Sequence, residues 1–195
     1  MTGKVIAQSA RITLREFTWA DFPELLPILT DPLVMKFSVT GPLTPEQVRG
    51  FLDRCLCKYK ERGYWLWAAI YRPENRLIGY SGLLDQYIDN KPEIEVAYRL
   101  APAFWGRGLG TEAAALARDY AFARLGTDRV ISLIEPANMA SIRVAEKNGF
   151  TYEKDTTYYH LFVRVYSLWR SQWLRLPHIL SPQNQVCPEP KRGSD

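Results

Sequence analysis

The segment that most restricts the fold of this chain is a run of alternating glycines, Trp105-Gly106-Arg107-Gly108-Leu109-Gly110-Thr111-Glu112. It follows a strand-like segment, Glu93 to Leu100, and precedes an alanine-rich segment with helical character, Thr111 to Leu125. Three glycines at alternate positions allow a tight turn in which consecutive main-chain N–H groups converge on one anion. The first turn of the following helix adds unpaired N–H groups and the positive end of its dipole. We therefore expect a strand, an anion-binding turn and a helix, with a pyrophosphate as the ligand.

Two better-known phosphate loops are excluded by the spacing of these residues. A dinucleotide fingerprint requires glycine where Thr111 stands, and a P-loop requires Gly-Lys followed by Ser or Thr. The side chain of Arg107 can supplement the main-chain amides with positive charge. A glycine-rich turn without a ligand stays open as the alternative.

Composition favours one globular domain without a metal site. The chain has 195 residues, of which 47% are hydrophobic and 24% charged, as in ordinary globular proteins. The net charge is +4 and the basic residues are scattered along the chain, which argues against nucleic acid as the main partner. Three cysteines and two histidines lack the spacing of a zinc site.

The hydropathy pattern predicts neither a membrane span nor a leader. No stretch approaches the roughly 18 uncharged apolar residues that a bilayer requires. The polar start, Met1 to Ser9, lacks the apolar core of a signal peptide. We therefore expect a cytoplasmic protein with no membrane partner.

Periodicity and turn residues predict alternating helices and strands, which favours a mixed α/β architecture. The predicted strands lie at about residues 11–17, 64–71, 76–84, 93–100, 129–135, 150–154 and 158–168. The predicted helices lie at about residues 18–29, 44–63, 111–125 and 139–148. Residues 1–176 should form one domain, and the proline-rich segment 177–195 an extended or disordered tail.

Two separated motifs resemble the GNAT acetyltransferases, and within them the branch of the RimJ and RimL ribosomal-protein N-terminal acetyltransferases. The first is Glu95-Val96-Ala97-Tyr98-Arg99-Leu100-Ala101-Pro102 with the glycine loop, where Trp105 replaces Gln or Arg, as is common in that branch. The second is Pro136-Ala137-Asn138-Met139-Ala140-Ser141-Ile142-Arg143-Val144 followed by Glu146-Lys147-Asn148-Gly149-Phe150. Two motifs in the right order are more specific than either alone.

This resemblance, which covers about Arg11 to Trp169, implies the GNAT fold. That fold is α/β (α+β), with a mixed, mostly antiparallel central sheet of about seven strands, flanked by helices. Its parallel strands 4 and 5 splay apart, and acetyl-CoA lies in the cleft. The implied reaction is transfer of the acetyl group to a primary amine of a protein N-terminus or a small molecule. The implied cofactor-binding residues are Leu100, Trp105, Gly106, Arg107, Gly108, Leu109, Gly110, Thr111, Asn138 and Ser141. A homodimer remains open.

Acetyl transfer to an amine requires a deprotonated nucleophile, a polarised carbonyl and a proton for the departing thiolate. A main-chain N–H near Leu100 would polarise the carbonyl. Glu95 is the candidate base, acting through a water, and Glu93 is its substitute on the same strand face. Many GNAT enzymes carry the acid as a tyrosine seven residues after the position of Asn138, but Ala145 stands there.

Ser141 is therefore the candidate acid, by resemblance to RimL-like proteins. A helix-capping role explains Asn138 as well as a cofactor-binding role does. Ser141 is equally explained as an ordinary residue of the first helical turn. Because the usual tyrosine is missing, an inactive acyl-CoA-binding sensor of the same fold stays open. A nucleotide-binding protein is a third alternative, against which the missing Lys and Mg²⁺-binding signals argue.

Overall fold

One mixed sheet of eight strands organises the chain in the computed structural model, which describes residues 3–177. In chain order the strands are β1 (Val5–Gln8), β2 (Ile12–Arg15), β3 (Leu66–Tyr71), β4 (Arg76–Ile88), β5 (Lys91–Leu100), β6 (Arg129–Ile134), β7 (Thr151–Tyr158) and β8 (Leu161–Trp169). Their order across the sheet is β1-β2-β3-β4-β5-β6-β8-β7. β5 and β6 are parallel, and the other neighbouring strands are antiparallel. The predicted α/β fold with a mostly antiparallel sheet is confirmed.

The eighth strand, β1, is the one that the sequence prediction missed. It pairs antiparallel with β2, with Gln8 opposite Thr13. Of its four residues only Ala7 is buried, so the segment carries too little hydrophobic alternation to be recognised. The predicted tail, apart from Pro177, lies outside the described residues.

Five α-helices accompany the sheet within residues 3–177: α1 (Phe22–Leu29), α2 (Pro45–Arg62), α3 (Leu109–Tyr120), α4 (Met139–Lys147) and α5 (Arg170–Trp173). α2 begins where predicted, because the Thr44 hydroxyl accepts the Gln47 N–H at 3.3 Å and the Gln47 side chain accepts the Thr44 N–H at 2.7 Å. It ends at Gly63, whose φ of 76° is left-handed. Such reciprocal bonding satisfies two N–H groups that the helix leaves unpaired.

β3 shows why the sheet needs helices on both faces. All six of its residues are buried, and side chains alternate between the two faces of a strand. Leu66, Ala68 and Ile70 pack in the cluster that includes residues of α1 and α2. Trp67, Ala69 and Tyr71 pack in the cluster that includes residues of α3 and α4. The sheet therefore has an α1/α2 face and an α3/α4 face.

Several predicted boundaries shift in the structure. The predicted helix at 111–125 begins earlier, at Leu109, and its last residues, Ala121–Leu125, form a π-helical turn. β7 extends further than predicted, to Tyr158, and Tyr159 turns the chain with a φ of 53°. The predicted hairpin between β3 and β4 is confirmed, and Asn75 takes the left-handed position of its turn.

The parallel strands β5 and β6 meet at a single register position, Glu95 opposite Ile131. Beyond it the strands part. Side chains bridge the junction, because the Ser132 hydroxyl donates to the Val96 carbonyl at 3.0 Å and the Glu95 carboxylate accepts the Leu133 N–H at 3.4 Å. We call this junction the fork. It corresponds to the predicted parting of strands 4 and 5, renumbered because β1 was missed.

A buried ion pair ties the helices of the α3/α4 face together. Arg118 and Asp119 of α3 are 3% and 1% exposed. The Arg118 guanidinium donates to Asp119 at 2.8 Å and to the Asn148 carbonyl at 3.0 Å. The indole N–H of Trp173 donates to the same carboxylate at 2.8 Å. The pair thus connects α3, the end of α4 and α5.

We predict that Asp119→Ala destabilises the fold by about 3 kcal/mol, because it leaves a guanidinium buried without its counter-charge. Urea unfolding at pH 7 measures the change. Asp128→Ala is the control, since Asp128 is 88% exposed and its ion pair with Arg170 spans 3.6 Å; its effect should stay below about 1 kcal/mol. Equal midpoints for Asp119→Ala and the parent chain would contradict the prediction.

Candidate active site at the fork

The glycine loop presents a run of main-chain N–H groups. Gly106 and Gly108 have φ angles of 71° and 76°, which residues with a side chain adopt at a cost. The first hydrogen bond of α3 runs from the Glu112 N–H to the Gly108 carbonyl at 3.1 Å. Between residues 3 and 177, no acceptor pairs with the N–H groups from Gly106 to Thr111. Consecutive free donors at a helix N-terminus are what an anion requires.

A salt bridge from the β1–β2 turn holds this loop in place. Glu112, in the first turn of α3, accepts the Ser9 hydroxyl at 2.5 Å and the Arg11 side chain at 2.7 Å. Arg11 also donates to the Arg107 carbonyl at 3.0 Å. Although burial opposes ionisation, the hydrogen bonds from Ser9 and Arg11 keep the pKa of Glu112 below its usual range. Arg11 and Glu112 are site residues that sequence reasoning missed, because their partners are distant along the chain.

The two large side chains of the loop have partners of their own. The Trp105 indole donates to the Leu100 carbonyl at 2.7 Å, closing the turn after β5. The Arg107 guanidinium donates to the Tyr71 hydroxyl at 2.7 Å and lies 4.9 Å from that ring's centroid. A methyl group added to Gly108 would lie 3.6 Å from Nη2 of Arg11. Arg11 thus places a guanidinium beside Gly108, whereas the Arg107 guanidinium lies against Tyr71.

Hydrogen-bond direction along β5 points two further N–H groups into the fork. The Ala101 N–H donates to the Ile78 carbonyl of β4 at 2.8 Å. Because donor direction alternates along an antiparallel strand, the N–H groups of Tyr98 and Leu100 face away from β4, toward β6. The Leu100 N–H therefore faces the opening of the fork, in the region where a main-chain N–H was predicted to polarise a carbonyl.

The α4 motif lies beside the loop on the α3/α4 face. The Asn138 side chain accepts the Ser141 N–H at 3.2 Å and so caps α4, as in the capping alternative. The Tyr98 hydroxyl donates to the Ser141 carbonyl at 3.4 Å. The Tyr98 ring lies 3.7 Å from the position of a methyl group added to Gly110. Tyr98, which sequence reasoning did not single out as a site residue, thus joins the two motifs.

Glu95 lies on the α1/α2 face of the sheet, opposite the loop. It is 9% exposed, accepts the Gln86 side-chain amide at 2.6 Å and accepts the Leu133 N–H at 3.4 Å. Burial raises the pKa of Glu95 to about 7, although these hydrogen bonds and the charge of Arg99 oppose the rise. A carboxyl group that titrates near neutral pH suits a general base.

Glu93, the predicted substitute for Glu95, and the histidine His160 are less well placed to act as a base. Glu93 forms an ion pair with Arg129 at 3.1 Å, and Arg129 also binds Glu153 at 2.7 Å. His160 is exposed in the turn between β7 and β8. Glu95 is therefore the stronger candidate for accepting a proton at the fork.

Comparison with known proteins identifies the family. Residues 11–151 match the family model described as an acetyltransferase (GNAT) domain. The chain belongs to the GNAT acetyltransferase family. Members of this family transfer the acetyl group of acetyl-CoA to amines, and the GNAT chain described here is an acyltransferase enzyme.

The chain is similar to two proteins in sequence and to one solved structure in fold. The chain is 33% identical over 167 residues to the uncharacterized protein YkkB of Bacillus subtilis strain 168, covering 85% of this chain and 96% of that protein. It is 30% identical over 167 residues to an FsC-acetyl coenzyme A-N(2)-transacetylase of Aspergillus fumigatus, covering 75% of this chain and 68% of that protein. The fold matches a GNAT-family acetyltransferase from Bacillus anthracis with a TM-score of 0.73 at 24% identity, covering 85% and 98% of the two chains.

No helix within residues 3–177 is long and apolar enough to cross a membrane. Over the same residues, no group of three or more His, Cys, Asp or Glu side chains is arranged to hold a metal ion.

We predict that the stability of Glu95→Gln, measured relative to the parent chain, increases as the pH rises. Below pH 4.5, the ordinary value for glutamate, the carboxyl is protonated in both the folded and unfolded states. Between that value and about 7, the unfolded state ionises first, so the folded parent chain loses stability. The free energy of unfolding of Glu95→Gln should rise, relative to the parent, by about 2 kcal/mol between pH 5 and pH 8.

Urea unfolding of the two proteins at both pH values measures this difference. Glu146→Gln, at an exposed position of α4, is the control. Its free energy of unfolding should differ from that of the parent chain by the same amount at both pH values. A constant difference between Glu95→Gln and the parent chain would show that Glu95 titrates as in the unfolded state.

Proposed function

We propose that this chain transfers the acetyl group of acetyl-CoA to a primary amine in a ternary complex, with the two substrates meeting at the fork. The observation that carries the proposal is the run of free N–H groups from Gly106 to Thr111, on the opposite face of the sheet from Glu95. An anionic donor and a base for the amine would thereby act from the two sides of one opening.

The donor would lie on the α3/α4 face. The loop amides, supplemented by Arg11 and Arg107, would hold the pyrophosphate of CoA. Asn138 and Ser141 would lie along the pantetheine arm, since Tyr98 holds the α4 turn next to Gly110. Acetyl-CoA supplies an activated thioester. The residues present fit this group, because the free amides of the loop, the Arg11 guanidinium beside Gly108 and the unpaired edge of β5 offer hydrogen-bond donors to it.

The chemical roles follow from the groups at the fork. The Leu100 N–H faces the opening and would polarise the thioester carbonyl. Glu95 would take a proton from the amine through a water, because its raised pKa makes it a usable base near neutral pH. Ser141 would donate a hydrogen bond to the departing sulfur.

The acceptor is a primary amine, either a protein N-terminus or a small molecule. The motif from Glu95 to Pro102, which resembles the RimJ and RimL branch, supports a protein N-terminus. The relative named for acetylating FsC supports a small molecule. Release of free thiol from acetyl-CoA, measured with peptides, polyamines and aminoglycosides, distinguishes the two. Failure to release thiol with every amine, despite binding of acetyl-CoA, would favour the acyl-CoA sensor.

We predict that acetyl-CoA and CoA raise the melting temperature of the parent chain and that Gly108→Trp abolishes this shift. A ligand that binds the folded state alone stabilises it, and an indole at Gly108 would fill the anion site. Gly63→Trp is the control, because Gly63 has the same φ of 76° and lies at the end of α2. Stabilisation by ATP but not by CoA would contradict the proposed function.

Ser141→Ala should lower kcat about tenfold while the KM for acetyl-CoA changes little, because the lost hydrogen bond acts on the departing sulfur. Steady-state thiol release measures both constants. Ser38→Ala, in the connection between α1 and α2, is the control. An unchanged kcat would remove Ser141 from the mechanism.

A further inference from the structure

Glu95 stands at the end of a hydrogen-bonded chain that starts on a distant strand. The Tyr158 hydroxyl of β7 donates to the Gln86 side-chain oxygen of β4 at 2.8 Å. The Gln86 side-chain nitrogen donates to the Glu95 carboxylate of β5 at 2.6 Å. In the sheet β6 and β8 lie between β5 and β7, so ordinary strand pairing does not bring these groups together.

The tip of the β4–β5 hairpin makes this contact by crossing over the neighbouring strands. Ile88 packs with Ile131 of β6 and Val165 of β8 in a small cluster of its own. Asp89 at the tip accepts the Thr156 hydroxyl at 2.8 Å and binds Lys154 at 2.6 Å. Because β7 is fastened to the tip at Asp89, Gln86 and Tyr158 are kept within hydrogen-bond reach.

The chemistry of the amide fixes which of its ends faces Glu95. A glutamine side chain offers one accepting oxygen and one nitrogen that only donates. The Tyr158 hydroxyl donates to the oxygen, so the nitrogen is directed to the carboxylate. A donor held against a carboxylate favours its ionised form.

We propose that Gln86 and Tyr158 are positioning residues for Glu95. Tyr158 holds the amide of Gln86 in one orientation, and Gln86 holds the Glu95 carboxylate in place and favours its ionised form. The inference rests on the proposed function, in which Glu95 receives the proton of the amine. The inference adds a hydrogen-bonded connection from Tyr158 of β7, through Gln86, to that base.

Other groups act on the same carboxylate and must be held constant in any test. The N–H of Leu133 donates to it from β6, and Arg99 of β5 favours its charge. Two phenols interact with it electrostatically, Tyr80 of β4 and Tyr158 of β7. On the same strand face, Glu93 is paired with Arg129. The variants below change none of these groups except Tyr158.

The test is a direct titration of Glu95 in the full chain, without acetyl-CoA or an amine. The protein carries ¹³C at the glutamate side-chain carboxyl, and the Glu95→Gln variant identifies the Glu95 resonance. Gln86→Met keeps the length of the side chain and removes its donor. We expect it to raise the midpoint of the Glu95 titration by about one pH unit.

Tyr158→Phe should shift the midpoint in the same direction by a smaller amount, because the amide keeps its donor and loses its orientation. Tyr87→Phe is the control, since Tyr87 neighbours Gln86 and is 68% exposed; it should leave the midpoint unchanged. Far-UV circular dichroism confirms that each variant is folded.

An unmoved midpoint in folded Gln86→Met overturns the proposal, and so does a shift of equal size in Tyr87→Phe. If Gln86→Met does not fold, the Glu95 midpoint of Tyr158→Phe is the deciding measurement. An unmoved midpoint in that variant overturns the proposal. The proposed function is tested separately, by thiol release from Glu95→Gln. The positioning role can therefore fail while the proposed function stands.

Discussion

The single contact between β5 and β6, Glu95 opposite Ile131, is the constraint on which the rest of the site depends. Beyond it the main-chain N–H groups of Tyr98 and Leu100 face an opening in place of a neighbouring strand. Leaving a buried N–H without a partner costs about 1–3 kcal/mol, so this edge of β5 is suited to a ligand or water. Two side chains, those of Ser132 and Glu95, bridge β5 and β6 where the strands begin to part, and so set where the opening starts.

The alternation of side chains along β5 then separates the two halves of the proposed reaction. Tyr98 points to the α3/α4 face and meets the glycine loop and the turn of α4, whereas Glu95 and Arg99 point to the other face. An amine approaching Glu95 would therefore not compete with CoA for room. On the α3/α4 face, Arg11 and Glu112 fasten the glycine loop. Their bonds order the loop before any ligand arrives, which lowers the entropy lost on binding.

Sequence reasoning was sufficient for elements with a local cause. The α2 helix was predicted from Thr44, Gln47 and Gly63, and a tight turn before α3 was predicted from the alternating glycines. The contacts it missed join residues far apart along the chain, such as Arg11 with Glu112 and Tyr158 with Gln86. The residues next to each partner in the sequence do not reveal these pairs. The contact of Arg11 with Glu112 exists only once the β1–β2 turn has folded, and that of Tyr158 with Gln86 only once the tip of the β4–β5 hairpin has folded. The short strand β1 was missed because its pairing with β2, and not its own pattern, makes it a strand.

Ala145 stands where many GNAT enzymes carry a tyrosine as the acid, and its presence affects how strongly the proposed reaction depends on each proton transfer. Ala145 is 4% exposed in the core, and one turn earlier on α4 the Tyr98 hydroxyl meets the Ser141 carbonyl. A tyrosine at this position would have to displace that packing. The departing group, however, is a thiolate, whose conjugate acid has a pKa of about 8.5 by analogy with cysteine, so it leaves readily with only a hydrogen bond. An ammonium, by contrast, cannot attack until it loses a proton. The proposed reaction therefore depends more on the base than on the acid, which agrees with a site in which Glu95 has several hydrogen-bonding partners and Ser141 is only the proposed acid.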